Sequence, residues 1–439
     1  MTDSYQSGDF TIERMSITSS RANLDISSIF LSASIYESIF TPGTVCDIEV
    51  LDTEDLLGTY KIFGDETVIF TYSIPGRYDP FDQSFRLAGT VTADFRFALY
   101  ELGEVEMTGA QKGKKYKLKC VSEEAMYAKT NYVQKAYTGG NDNEGVLCSS
   151  IIEDIHKNYL KSQKRINLEE TKTPQKIVIP HMSPFRAIEM VRKRSISAGS
   201  NPKNKNRSSL YVYFENREND EQVYNFVTIE NLFSKTPVKS FEQSALNIDH
   251  AAREDNNILS FKIPTQFKSI ENIQYAGPRR ITTFNFTTWQ FESSDNTAPV
   301  GTVGGDFSNI TQDFRIKYFD GVKIPPQSLI PIDISQRPVT NIPEHTRDLQ
   351  VYLAALMQNA MKIRVPGDTL LTAGQMIECT IPNKKGFTGE SEEDPLMTGN
   401  FLISRIHHKI GEFGERPRYT CVIECIKGAY EDNEEVKYD

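Results

Sequence analysis

With 439 residues and a formal net charge of −10, the chain has room for roughly two to four domains and lacks the basic surplus that a tight grip on nucleic-acid phosphates demands. Apolar residues make up only 38% of it, and 25 Phe and 20 Tyr against one Trp favour half-buried strand surfaces over a thick helical core. No run approaches the roughly 18 apolar residues of a membrane-spanning helix, and residues 1–5 have neither the basic nor the apolar part of a secretory leader, so the expectation is a mainly β protein made soluble in the cytoplasm.

Strands come first. Ala33 and Ile35, then Tyr36, Ile39 and Phe40, run into Thr41-Pro42-Gly43, after which Val45, Cys46, Ile48 and Val50 lead to Asp52. Their alternation is the period-two signature of a half-buried strand. Further strands are predicted at 67–72, 85–92, 94–102 and 115–120.

After Val121 the spacing turns helical. Glu123, Glu124, Ala125, Met126 and Ala128 suit one turn or more, and Thr138-Gly139-Gly140 opens a loop. Leu147, Ile151, Ile152, Ile155 and Tyr159 then recur on one helical face, with His156 and Lys157 placed opposite. Ser183-Pro184 reads as an N-cap and first-turn pair ahead of Phe185, Ile188 and Val191. A basic loop at 197–207 precedes a predicted hairpin, 210–215 with 223–229, across a turn at 216–221.

Beyond this lie a strand at 258–263 and the run 280–291, where Phe284 and Phe286 share one parity and Trp289 and Phe291 the other; a bulge or strand end near Thr287-Thr288 accounts for the switch. Segments 297–306 and 323–343, rich in Pro, Gly, Ser, Asn and Thr, are expected as loops, and Leu349, Tyr352, Leu353, Leu356 and Met357 predict a helix over 346–361. Met361, Ile363 and Val365 then alternate with Lys362 and Arg364 up to the turn Pro366-Gly367-Asp368. Runs at 375–381, 400–408 and 419–426 complete a four-strand meander of the kind that builds small barrels or sandwiches. Phe40 to Val50 can be laid on Leu371 to Ile381 with apolar residues at matching places, a short internal repeat.

Ile363-Arg364-Val365-Pro366-Gly367-Asp368-Thr369, Ala373-Gly374-Gln375, Asp394-Pro395-Leu396-Met397-Thr398-Gly399 and Phe401-Leu402-Ile403 with His408, taken in order, resemble the closing barrel of central baseplate hub proteins of contractile-tailed bacteriophages, which are related to barrels of type VI secretion spikes. Ser209-Leu210-Tyr211-Val212-Tyr213-Phe214-Glu215 resembles their middle domain. The resemblance implies two similar antiparallel tail-tube-like β-barrels plus a helix-containing insertion. The division is a first barrel over 1–120, an α+β middle domain over 121–240, strands over 241–294 joining the second barrel, a loop-rich insertion over 295–345, a helix and second barrel over 346–430, and an acidic tail over 431–439. It further implies a homotrimer whose six barrels match a threefold central spike to a sixfold tail tube, with baseplate wedge proteins as neighbours, DNA only in transit and no membrane, located in the virion after assembly in the host cytoplasm.

Motifs of chemistry are missing, so no catalytic, cofactor-binding or metal residue is assigned and the protein is not expected to be an enzyme. Gly109 to Lys115 has the wrong glycine spacing for a phosphate cradle and reads as a lysine-rich hairpin turn. His407 and His408 are strand neighbours that point to opposite faces, without a third ligand. Glu390 to Asp394 reads as a solvated acidic loop rather than a paired-carboxylate site. Arg192, Lys193 and Arg194, with Lys203, Lys205 and Arg207, lack the interleaved aromatics of a nucleic-acid surface. Cys46, Cys120, Cys148, Cys379, Cys421 and Cys425 form no C-x-x-C pair, and Cys421 and Cys425 would lie about 13 Å apart on one strand face, so free thiols are expected. The acidic balance predicts a neutral or acidic channel lining. The competing reading is a β-sandwich glycan-binding or glycan-hydrolysing module, which requires convergent carboxylates or exposed aromatics in a pocket.

Overall fold

A computed structural model describes residues 7–21, 23–55, 59–75, 78–79, 84–85, 91–108, 113–139, 144–199, 210–218, 221–243, 255–264, 279–285, 288–296, 327–332, 360–382, 393–394, 397–412 and 417–427. The first strand-rich half holds β1 (Thr11–Thr18), β2 (Asn23–Asp25), β3 (Phe30–Ser38), β4 (Val45–Asp52), β5 (Thr67–Ile74), the short β6 (Tyr78–Asp79) and β7 (Ser84–Phe85), the long β8 (Val91–Thr108) and β9 (Gly113–Val121). In β4 alternate residues Cys46, Ile48 and Val50 are buried, as the period-two pattern requires.

The middle insertion leaves the sheet after β9 with α1 (Glu123–Thr130), β10 (Val133–Tyr137), α2 (Cys148–Asp154) continued by a π-turn over Ile155–Tyr159, β11 (Ile166–Leu168), β12 (Ile177–Met182), α3 (Pro184–Arg192), the hairpin β13 (Tyr211–Glu218) and β14 (Glu221–Thr228), and α4 (Ile229–Phe233). The π-turn overturns the placement of His156 on the wet face. Its backbone bond from Leu160 N to Ile155 O inserts an extra residue into the turn, so the buried stripe continues through Ile155, His156 and Leu160. The hairpin also differs from expectation: Asn216, Arg217 and Glu218 are strand, paired with Val223, Gln222 and Glu221.

That hairpin is a partition. Tyr211, Tyr213, Tyr224 and Phe226 pack into the core of the insertion, whereas Val212, Phe214 and Val227 pack into the core of the large sheet. Both faces are therefore dry, which explains a near-continuous apolar run without alternation.

The chain returns with β15 (Ser240–Glu242) and β16 (Ser260–Lys262), passes β17 (Arg279–Asn285), β18 (Gln290–Asn296) and β19 (Gln327–Ile332), and ends in β20 (Ala360–Pro366), β21 (Met376–Thr380), β22 (Gly399–Glu412) and β23 (Pro417–Ile426). Within the segment assigned to the second barrel, β16 pairs with β20, but β17 and β18 form a hairpin in a separate sheet with β19. The parity switch between Phe284 and Phe291 thus falls at a strand end, one of the two expected causes, with β17 ending at Asn285 and β18 beginning at Gln290. Gln327–Ile332, expected as loop, is a strand parallel to β17. The predicted helix at 346–361 lies outside the described residues up to Ala360, as do 86–90 of the predicted strand and the acidic tail.

The two halves share one sheet in the order β16-β20-β23-β22-β3-β4-β9-β8-β5-β1-β2, with β21 pairing β22 and β15. The seam is β22 against β3, from Arg405 opposite Ser38 to Gly411 opposite Ser32. One hydrophobic core runs through both halves. The repeat read from the sequence lays β4 on β21, yet their neighbours differ: β4 lies between β3 and β9, and β21 between β22 and the parallel β15.

Gly411 adopts φ +112, and a Cβ there would collide with the Leu31 carbonyl across the seam. Gly64, at φ +93, faces open space. Gly411→Ala is therefore expected to lose stability by more than about 2 kcal/mol and Gly64→Ala by about 1 kcal/mol, measured by urea unfolding; equal losses would show that the seam tolerates the added methyl.

Candidate functional site

The solvent side of the shared sheet is one surface crossing the seam. Its central row runs Arg364, Val422, His407, Tyr36, Val45 and Val121 through successive register pairs. Tyr36 stacks on His407 with ring centroids 4.0 Å apart, and the Arg405 guanidinium lies 5.8 Å from the Phe40 ring centre. Burial first, then Lys409 and Lys362, press the His407 pKa down to about 4, so the stacked imidazole is neutral.

Charge on this surface is mixed rather than acidic. Lys115 pairs with Glu49 at 3.0 Å, Lys117 with Asp47 at 3.7 Å and Lys119 with Glu101 at 2.8 Å. Lys362 and Arg405 share Glu424 at 3.3 and 3.1 Å. Arg364 and Lys409 have no ion pair among the described residues. Exposed pairs of this kind contribute about 0–1 kcal/mol each; their main effect is to cancel charge.

Behind the seam, on the dry side, three units meet. Glu37 follows Ala33 and Ile35 on the inward parity of β3 and is buried; its Oε2 accepts the Ala373 N–H at 3.0 Å. His408, from β22, is buried with Nδ1 2.7 Å from the Tyr419 hydroxyl. Arg217, from the insertion, donates through Nη2 to the Thr369 carbonyl and lies 4.7 Å from the Phe95 ring centre. Asn216 donates to Ala373 O at 3.0 Å and accepts from Asn225 at 2.7 Å, tying the hairpin to the second half. Lys239 holds Asp368 at 2.6 Å.

A second buried network fastens the insertion to the first half. Lys164 Nζ reaches Glu124 Oε2 at 2.8 Å and Glu215 Oε1 at 2.6 Å, while Glu215 Oε2 accepts from the Thr44 N–H at 3.0 Å and from Ser122 Oγ. Burial works against ionisation of Glu124, but Lys164 and Ser162 outweigh it and hold the carboxyl below its ordinary range. His156 donates from Nε2 to the Lys164 carbonyl at 3.1 Å and accepts the Tyr213 hydroxyl at Nδ1, 2.9 Å away.

The residues singled out from sequence scatter. Gly113 to Lys115 begin β9, and 109–112 lie outside the described residues. Arg192 is bound to Glu189 and to the Tyr211 carbonyl, and Arg194 to the Met190 carbonyl; Lys203, Lys205 and Arg207 lie outside. Of the acidic loop, Glu393 bridges Pro382 and Asp394 donates its N–H to Ile381 O. All six cysteines are buried and free. Sequence reasoning missed Glu37 and Glu124, though both carried a signal: an acid at an inward strand position, and an acid four residues before buried Ala128 on one helix face. Arg217 and Lys164 carried none.

Two buried groups make opposite demands on pH. Burial, partly offset by Arg217 and the Ala373 N–H, raises the Glu37 pKa from 4.5 to about 7; the folded chain holds that proton more tightly than the unfolded one, so stability falls as pH rises from about 4.5 to about 7. Burial and Arg217 push His408 well below 6.5, so its contribution is full above 6.5 and falls as pH drops. Glu37→Gln removes only the first slope. Relative to the parent chain it is expected to gain on the order of 3 kcal/mol between pH 4.5 and 7, read by denaturant unfolding at each pH; a pH-independent difference would rule this out.

No protein-family model matches the sequence, and no curated protein matches it. In fold the chain is similar to the tail protein from Neisseria meningitidis MC58, at 8% identity over 95% of this chain and 97% of that one, with a TM-score of 0.54. It is likewise similar to the 43 kDa tail protein of prophage MuSo2 from Shewanella oneidensis, at 10% identity over 95% and 99%, with a TM-score of 0.52. Sequences this distant share architecture alone, and here they share it nearly end to end: the chain is built on the fold of these tail proteins, as its resemblance to tail hubs implied.

Proposed function

We propose that this chain is the structural hub of a contractile-tail baseplate, three copies closing into a ring that joins a tail tube to a central spike and lets DNA pass through its channel. The observation that carries this reading is the single sheet through both strand-rich halves, continuous across β22 and β3. Two sheet halves per chain supply six in a trimer, the count needed to present a sixfold face with threefold symmetry. The fold likeness to tail proteins over nearly the whole chain supports it.

The role is mechanical. A fused, ion-paired wall resists shear better than two barrels joined by a linker, because sliding one half would break a ladder of backbone bonds at once. In the ring, the solvent side of the shared sheet lines the channel. There the paired Lys117–Asp47 and Lys119–Glu101 ions leave few unbalanced cations to condense DNA phosphate. Wedge proteins meet the outside, and assembly takes place in the host cytoplasm before the ring joins the virion.

Light scattering of the purified chain mixed with its cognate spike trimer is expected to give three hub chains per spike. A monomeric hub at saturating spike would overturn the ring. The lining predicts a second outcome: Arg364→Glu with Lys409→Glu leaves the melting temperature within about 2 °C, the effect expected of exposed charges, and lowers the rate of genome release from assembled particles several-fold or more. An unchanged rate would remove this face from the channel.

A further inference from the structure

Three buried polar atoms behind the seam have no hydrogen-bond partner among the described residues: Glu37 Oε1, Arg217 Nε and His408 Nε2. They face one another. Glu37 Oε1 lies 4.0 Å from Arg217 Nε and 4.0 Å from His408 Nε2. That separation is too long for a direct hydrogen bond and suits groups bridged by one small molecule.

Proton accounting states what such a molecule must do. The Tyr419 hydroxyl donates to the Asp368 carbonyl at 3.0 Å, an acceptor shared with the Leu371 N–H at 3.4 Å and Cys421 Sγ at 3.9 Å. With its proton on Asp368, Tyr419 accepts from His408 Nδ1, 2.7 Å away, and its other lone pair faces the Tyr72 hydroxyl at 3.3 Å and Cys421 Sγ at 3.6 Å; Cys421 Sγ also lies 3.4 Å from His408 Nδ1. His408 is thus the Nδ1–H tautomer, and its Nε2 is a bare acceptor. Arg217 Nε–H can only donate and, above its pKa of about 7, the ionised Glu37 Oε1 can only accept. The bridging molecule must accept once and donate twice.

Charge narrows the choice further. Glu37 and Arg217 cancel, and the imidazole is neutral, so an anion or cation placed between them would be uncompensated in a dry interior. We infer that the junction binds one internal water molecule, which accepts from Arg217 Nε–H and donates to Glu37 Oε1 and His408 Nε2. Three hydrogen bonds is the usual complement of a buried water. Each bond here goes to a different unit: the first half through β3, the second through β22 and the insertion through β13. The water is a structural ligand that sets how the three fit together, and the inference does not rest on the hub reading.

Two measurements on the full-length parent chain well above pH 7, where Glu37 is ionised, test it, neither depending on a variant that folds. A crystal structure resolving ordered solvent should show one peak within about 2.7–3.2 Å of all three atoms. Nitrogen NMR of the histidines should find His408 protonated at Nδ1. Closure of Glu37 Oε1 onto His408 Nε2 or Arg217 Nε with no solvent peak would overturn the proposal. So would His408 protonated at Nε2, since the water would then lack its second acceptor.

Discussion

The docking of the insertion on the first half depends on setting a buried acid, Glu37, against a buried guanidinium, Arg217. Moving either ion out of water costs several kcal/mol even after relaxation, and removing one partner strands the other. Glu37 and Arg217 come from different units, so each unit can bury its charge only when the other is docked in one orientation. The apolar core could not impose this alone. Burial of Ile35, Phe70, Phe95 or Ile423 is favourable in many arrangements because it has no direction, whereas the bonds from Asn216 to Ala373 and from Arg217 to Thr369 accept one register.

The same junction explains how a long open sheet avoids association through its edges. Unpaired strand edges recruit other chains. Among the described residues the ends of the sheet are β2 and β16, three residues each, and the side branch ends in β15, also three residues. Charges sit on all of them: Asp25, Lys262 and Glu242. The long strands β22 and β23, which would be the hazardous ones, are interior to the order, while β8 pairs with β5 over Val91–Ala98 and with β9 over Ala98–Thr108. Fusing the halves at β22 and β3 thus hides two long edges that separate barrels would have exposed or had to close individually.

What the sequence made legible was periodic. Strands with one wet face, such as β4 and β20, were readable because Cys46, Ile48, Val50 and Met361, Ile363, Val365 alternate with polar residues. The order of the closing motifs carried the tail-protein likeness that the fold confirms. Illegible features all break a period or span the chain. The π-turn rotated His156 inward; the hairpin β13–β14 hid its full length because both faces are dry. The junction itself joins positions 37, 217 and 408, a separation no local pattern encodes. Only the inward parity of Glu37 hinted that β3 buries a charge.

Shape and charge need not follow the same symmetry on the solvent face. In the second half, Lys362, Arg364, Arg405 and Lys409 stand against Glu424; in the first, Lys115, Lys117 and Lys119 are matched one to one by Glu49, Asp47 and Glu101. Cross-strand pairing accounts for the difference: the acids on β4 lie directly opposite or diagonal to the lysines of β9, whereas β22 has Ser34 and Tyr36 opposite Lys409 and His407 on its β3 side. In the ring proposed above, the basic stripes of the second halves would alternate with the neutral faces of the first. A polyanion passing through would meet attraction in narrow strips rather than over a continuous basic wall. Because screening confines each strip to about 8–10 Å at physiological salt, the strips would centre the polyanion without holding it.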